Sequence, residues 1–185
     1  MRRVSVVGST GSGKTTFGRK LAQIIGVDFV ELDALNWEAD WTMAPIARFH
    51  AKIDAATSGD AWVVDGNYGG RGARKIVWSR ADTVIWLDFP LWLVLARLTR
   101  RNLRRIRSGE EIWPGTGNRE TIRSSFFSRD SLYVWALSTY RRRQRQLPEL
   151  LARPEYSRLE VIHFTRSADA ERWLEAQRRL AAPRI

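Results

Sequence analysis

The sequence predicts a three-layer α/β fold built on a five-stranded parallel sheet. Strand and helix signals alternate along all 185 residues, and the loop after the first strand is glycine-rich and opens directly into a helix. The strands read as near-continuous apolar runs such as Thr83-Val84-Ile85-Trp86-Leu87, which suits a parallel sheet covered on both faces. Ligands of such sheets bind outside the carboxyl ends of the strands, so the residues at those ends are the ones to read for chemistry.

Residues 3–7 form a first, β-branched strand that stops at Gly8. Residues 14–25 follow as a helix with Phe17, Leu21, Ile24 and Ile25 on one face and Gly26 as its stop. Residues 28–32 are the second strand, ended by Asp33, and a loop carrying Trp37 and Trp41 comes next. A helix over 45–57 is opened by Pro45 and closed by Ser58-Gly59-Asp60. The third strand, 61–64, runs into Asp65-Gly66, and 71–79 is a short helix. Residues 82–87 are the fourth strand, 90–107 a long helix, and 108–118 a loop rich in glycine and proline. The stretch from 119 to about 152 is helical with a break near Ser128; a fifth strand over 159–164 and a helix from 169 to about 181 complete one domain. Trp62, Trp86 and Trp173 fall within these elements and are expected in the core.

Composition narrows the chemistry. The absence of cysteine excludes a disulfide framework, a thiolate zinc site, an iron–sulfur cluster and a cysteine nucleophile, and two histidines leave no histidine-rich metal site. The net charge of +11, with arginine supplying most of the 31 basic residues, favours anionic partners: nucleic acid, anionic membrane or phosphorylated small molecules. The apolar run after Met1-Arg2-Arg3 is too short for a signal peptide, and no segment reaches the ~20 apolar residues of a spanning helix, so the expected protein is soluble and cytoplasmic, with no membrane partner.

The decisive motif is Gly8-Ser9-Thr10-Gly11-Ser12-Gly13-Lys14-Thr15, followed by Thr16, which fits G-x-x-x-x-G-K-[ST] between a strand and a helix. Glycines there let backbone N–H groups converge on phosphate oxygens, and the helix N-terminus adds partial positive charge. Lys14 reaches the β- and γ-phosphates and the Thr15 hydroxyl ligates Mg²⁺, so ATP and Mg²⁺ are the expected ligands. No Asn-Lys-x-Asp segment is present to read guanine, and no Leu-Ser-Gly-Gly-Gln signature. Asp65, placed to hold Mg²⁺ through water, is followed by Gly66 rather than a water-activating glutamate, which favours transfer to a bound acceptor over hydrolysis. Asp33 ends the neighbouring strand, where a carboxylate can take a proton from an acceptor hydroxyl.

With Leu32-Asp33-Ala34-Leu35-Asn36-Trp37, Val64-Asp65-Gly66-Asn67-Tyr68 and Trp86-Leu87-Asp88-Phe89-Pro90, the chain resembles the adenylate-kinase-related DNA topology modulation proteins (FlaR-related) over about residues 3–175. The resemblance implies the P-loop NTPase fold of nucleoside monophosphate kinases, with strand order 2-3-1-4-5, a lid-like insertion at about 105–123, and kinase activity on an unassigned acceptor. Adenylate kinases carry an arginine shortly after the Asp-Gly that closes the third strand; this chain does not, leaving Arg48, Arg71 or Arg74 as substitutes. Asp33, Trp37, Asp65, Gly66, Asn67 and Tyr68 form the expected acceptor side, and Asn67 and Tyr68 suggest a neutral, hydrogen-bonding acceptor group. Trp37 and Trp41 either cover it, stack on a base or pack into the core.

Arg97, Arg101 and Arg104 share one face of the long helix, and Arg119 and Arg123 return from the far side of the lid loop. Arg97, Arg101 and Arg119 are expected to neutralise the transferred phosphoryl group, and Arg166, after the fifth strand, to stack on the nucleotide base. The expected function is phosphoryl transfer from ATP to a nucleotide-like or other small acceptor. The basic run Arg141-Arg142-Arg143-Gln144-Arg145 keeps an ATP-binding, nucleic-acid-associated regulator as the alternative.

Overall fold

The computed structural model describes residues 1–122 and 132–182. Its sheet has five parallel strands in the order β2-β3-β1-β4-β5. They are β1 (Arg3–Gly8), β2 (Asp28–Glu31), β3 (Trp62–Asp65), β4 (Thr83–Leu87) and β5 (Glu160–Phe164). The helices are α1 (Lys14–Ile25), α2 (Leu32–Asn36), α3 (Ile46–Ala56), α4 (Ala73–Arg80), α5 (Leu91–Ser108), α6 (Leu132–Leu151) and α7 (Ser167–Ala181). The strand order is the one the resemblance implied.

The alternation of side chains along β1 divides the core in two. Val4 and Val6 pack with Phe17 and Leu21 of α1 and Leu174 of α7 on one face. Val7 faces the other way, into a cluster with Phe49 and Ile53 of α3 and Val77 and Trp78 of α4, against which Leu147 and Leu150 of α6 pack. Trp78 donates its indole N–H to Ser5 Oγ at 3.1 Å, which pairs these two buried polar groups. Trp62 and Trp86 are buried as expected, and Trp173 stacks on Phe17 at 6.1 Å.

Two local expectations change. The second strand stops at Glu31, and Leu32–Asn36 turns into α2, which places Asp33 in a helical turn rather than at a strand end. Burial of Leu32 against the backbone of Gly66 drives the turn: any Cβ at Gly66 would lie 2.8 Å from Leu32 Cβ, and Gly66 holds φ 141°. Of the helix expected from residue 119, residues 119–121 are irregular, Ile122 is helical, and α6 covers Leu132–Leu151. The break near Ser128 and the position of Arg123 lie outside the described residues. Among the described residues no helix is long and apolar enough to cross a membrane.

Candidate active site

The P-loop follows β1 and is shaped by glycines that no other residue replaces easily. Gly11 and Gly13 hold φ of 82° and 92°, and a Cβ at Gly11 would meet the Val94 carbonyl oxygen at 2.6 Å. Lys14, the first residue of α1, lies back across the loop and donates from Nζ to the Ser9 carbonyl at 3.1 Å. Thr15 Oγ1 donates to Asp65 Oδ2 at 2.5 Å, joining α1 to the end of β3. Burial lowers the pKa of Lys14, against the opposing pull of the Asp65 charge. Burial likewise pushes Asp65, 3% exposed, up to about 6, although Lys14 and the Thr15 bond favour its ionised form.

Asp65 Oδ1 is buried and has no hydrogen-bond partner among the described residues. An orphaned carboxylate oxygen beside a threonine hydroxyl is a hard oxygen donor set, and it fits Mg²⁺.

Asn67, expected on the acceptor side, pairs with the backbone of Gly8. Its Nδ2 donates to the Gly8 carbonyl at 2.6 Å and its Oδ1 accepts from the Gly8 N–H at 3.3 Å, so it clamps the entry of the P-loop to the end of β3. Tyr68, next along, donates its hydroxyl to Asp33 Oδ1 at 2.5 Å and rests edge-on against Phe49 at 5.3 Å. Burial and the Asp33 charge raise the Tyr68 pKa, so its hydroxyl stays protonated as the donor.

The arginines of α5 separate. Arg101 lies in the field of three carboxylates: burial and Arg105 lower its pKa, while the charges of Glu120, Asp33 and Glu31 hold it up. Arg97 instead donates to the Ser12 carbonyl at 3.0 Å and to Ser167 Oγ at 2.6 Å, tying the P-loop to the start of α7. Arg104 is exposed, because α5 is deep on the side of Val94, Leu98 and Asn102, and Arg104 falls off that stripe. Arg119 and Arg166 are both exposed.

Arg143 was hidden in the basic run. It donates to the Gly8 carbonyl at 3.2 Å, and its charge is felt at Lys14. The charge of Asp33 in turn reaches Arg143. Arg141, Arg142 and Arg145 are exposed. The signal that separates them is helical spacing: Arg143 lies three residues from Tyr140 and four from Leu147, both on the inward face of α6.

Residues 109–121 dock onto the loop after α2. Buried Asn118 accepts from the Trp41 N–H at 2.9 Å and donates to the Glu38 carbonyl at 2.8 Å. Trp41 meets Trp37 and Trp113 edge-on, each at 5.9 Å, and Trp113 donates to Glu31 Oε1 at 3.4 Å. Asp40 and Trp41 both adopt positive φ, 54° and 55°, to make this contact. Trp113 went unnoticed in the sequence, where nothing in its glycine-rich surroundings distinguishes it. Of the substitutes for the missing arginine, Arg48 pairs with Glu38 at 2.9 Å and Arg71 donates to the Ala44 carbonyl, so both are engaged in holding loops.

Comparison with known proteins fits this geometry. A shikimate kinase from Persephonella marina is 30% identical over 151 residues, which cover 74% of this chain and 86% of that enzyme. Shikimate kinase 3 of rice is 32% identical over 112 residues, 52% of this chain, and the match spans 38% of the rice protein's length. No protein-family model matches the sequence. Among solved structures, shikimate kinase from Acinetobacter baumannii in complex with shikimate superposes with a TM-score of 0.58 at 18% identity, covering 97% of this chain and 92% of that one. A gluconokinase from Sinorhizobium meliloti gives 0.51 at 17% identity, covering 97% and 93%. These structural likenesses speak for the fold. The relatives correct the resemblance to DNA topology modulation proteins: the Asp-Gly-Asn-Tyr and Leu-Asp-Ala segments that carried it are short, whereas the Persephonella match runs through most of both chains. On that match the chain belongs to the shikimate kinase family of P-loop phosphotransferases.

Proposed function

We propose that the protein transfers the γ-phosphoryl group of ATP to a hydroxyl of a small hydroxylated carboxylate. The observation that carries this reading is the convergence of Lys14, Asp65, Asp33, Arg101 and Arg143 at the carboxyl ends of β1 to β3, where the charge of Asp33 is felt at each of the other four. The relatives' names support an acceptor with hydroxyl and carboxylate groups, since shikimate kinases and a gluconokinase act on such molecules.

In this reading the backbone from Gly8 to Thr16 cradles the phosphates and Lys14 turns from Ser9 to the γ-phosphate. Thr15 and Asp65 are the residues that would hold Mg²⁺, which when bound neutralises charge on the phosphate oxygens. Asp33, oriented by Tyr68, takes the proton of the acceptor hydroxyl as that oxygen bonds to the γ-phosphorus. The bond from phosphorus to the bridging oxygen breaks, and ADP departs with that oxygen. Arg101 and Arg143 supply positive charge to the acceptor's carboxylate and the transferred group. Residues 109–121 act as the lid, with Trp37, Trp41 and Trp113 excluding water from the acceptor side.

The test is ADP release measured with a panel of shikimate, gluconate and AMP. A hydroxy acid that accelerates release about a hundredfold or more over the acceptor-free rate supports the reading. Acceleration by AMP alone, or by none of the three, overturns it.

A further inference from the structure

A cavity of about 330 Å³ opens between α4 and α6, beside the P-loop, and shares Arg143 with the crevice described above. Gly8, Ser9 and Asn67 form its margin, and neither Lys14, Thr15, Asp33 nor Tyr68 lines it. Arg74 of α4, Arg143 of α6 and Arg153 just beyond α6 all reach its wall, with Trp86 and Leu150 supplying an apolar side. The acidic groups there are Asp88 and Glu149. Asp88 is already engaged, accepting from Gln144 Nε2 at 3.1 Å and facing His163 Nε2 at 3.3 Å, and Glu149 is exposed.

Arg74 has the least satisfied position of the three. Its guanidinium lies over the Trp78 ring at 5.6 Å and against Gly69, and it makes no hydrogen bond to a described residue. Burial lowers its pKa, and the like charge of Arg153 adds to the effect while Tyr156 opposes it. A half-buried guanidinium with five donors and no acceptor, next to a second arginine, is costly until an anion sits between them.

We propose that this cavity is a second anion-binding site, in which Arg74 and Arg153 hold the carboxylate or phosphate of a small metabolite while Trp86 and Leu150 receive its carbon skeleton. Its volume lies at the low end of ligand pockets, roughly 300–1,000 Å³, which favours a small metabolite over a nucleotide. The site goes beyond the kinase reading and does not depend on which acceptor that reaction uses.

The test is calorimetric titration of the full chain with citrate and with inorganic phosphate, after saturation with Mg²⁺ and a non-hydrolysable ATP analogue so that the P-loop is filled. At least one anion binds the saturated protein, and the tighter of the two identifies the headgroup. Arg74→Gln and Arg153→Gln each weaken that binding by about tenfold or more, the scale of a lost charge-assisted hydrogen bond. Affinity for the ATP analogue is unchanged in both and serves as the control for folding. Arg153 is exposed, so its variant keeps the test decisive if Arg74→Gln does not fold. Absence of binding to the saturated protein, or wild-type affinity in the variants, overturns the proposal; the latter would place the anion in the acceptor crevice instead.

Discussion

Arg143 reaches from the middle of α6 to the carbonyl oxygen of Gly8 at 3.2 Å, bridging 135 positions of sequence. The same carbonyl accepts from Asn67 at 2.6 Å, so the last residue of β1 is the point where α6, β3 and the P-loop meet. An arginine in a run of four thereby becomes part of the candidate active site, while its neighbours stay in solvent.

Arg143→Gln is expected to lower kcat by about 10²-fold or more, the usual effect of removing one preorganised donor from a phosphoryl-transfer or oxyanion site. Arg141→Gln and Arg145→Gln, which change the net charge equally from exposed positions, leave kcat within about twofold. Steady-state kinetics on the three variants separates site chemistry from bulk charge; equal effects in all three would return the run to a surface role.

Asp33→Asn and Tyr68→Phe probe the two ends of one hydrogen bond. The first removes the proton acceptor and is expected to cut kcat by roughly 10²- to 10⁴-fold. The second leaves the carboxylate but frees its orientation, for a loss of about tenfold or less. Neither changes the affinity for an ATP analogue, which equilibrium titration checks.

Asp65 sets a pH dependence. Its carboxyl titrates near 6 in the fold, against the ordinary 3.8, so between those values the folded chain holds a proton that the unfolded chain has released. Its contribution to stability is therefore present at low pH and lost as pH rises through about 6. Relative to Asp65→Asn, the ligand-free wild type gains up to about 3 kcal/mol on going from pH 7 to pH 4, measurable by denaturant unfolding. If Asp65 holds Mg²⁺ as proposed, binding expels the same proton, and apparent affinity for Mg²⁺ is expected to fall as pH drops below about 6.

Removing the clamp tests the P-loop entry. Asn67→Ala breaks both bonds to Gly8 and is expected to cost about 1–3 kcal/mol in unfolding free energy and to weaken nucleotide binding. Thermal unfolding with and without an ATP analogue reads both. Weaker acceptor binding with intact stability would instead restore Asn67 to the acceptor side.

Trp113→Ala removes one end of the Trp37–Trp41–Trp113 ladder and the bond to Glu31. Acceptor KM rises and acceptor-free ATP hydrolysis increases severalfold, because closure no longer excludes water. Unchanged hydrolysis would show that the ladder is packing alone.

Most of the sheet was legible because its signals are local: β-branched runs, glycine stops and the G-x-x-x-x-G-K-T spacing depend on a few adjacent residues. Lys14, Thr15 and Asp65 were legible for the same reason, since a strand end and a motif place them together. The clamp between Asn67 and Gly8 has no local mark in the sequence, because the two lie 59 residues apart. The contacts of Arg97 with Ser12 and Ser167 are equally invisible locally, the latter lying 70 residues off. Trp113 and Arg143 carried only weak local marks, a tryptophan in a loop and an arginine among arginines.

The sequence by itself therefore determined the three-layer parallel fold and the phosphate-binding strand–loop–helix, because both follow from hydrophobic period and backbone freedom over short stretches. Only the tertiary structure decided which arginines face the crevice and which tie the P-loop down. That choice rests on where α5, α6 and the 109–121 segment pack against β1 and β3, and a charged side chain carries no mark of its partner until the elements between them have closed.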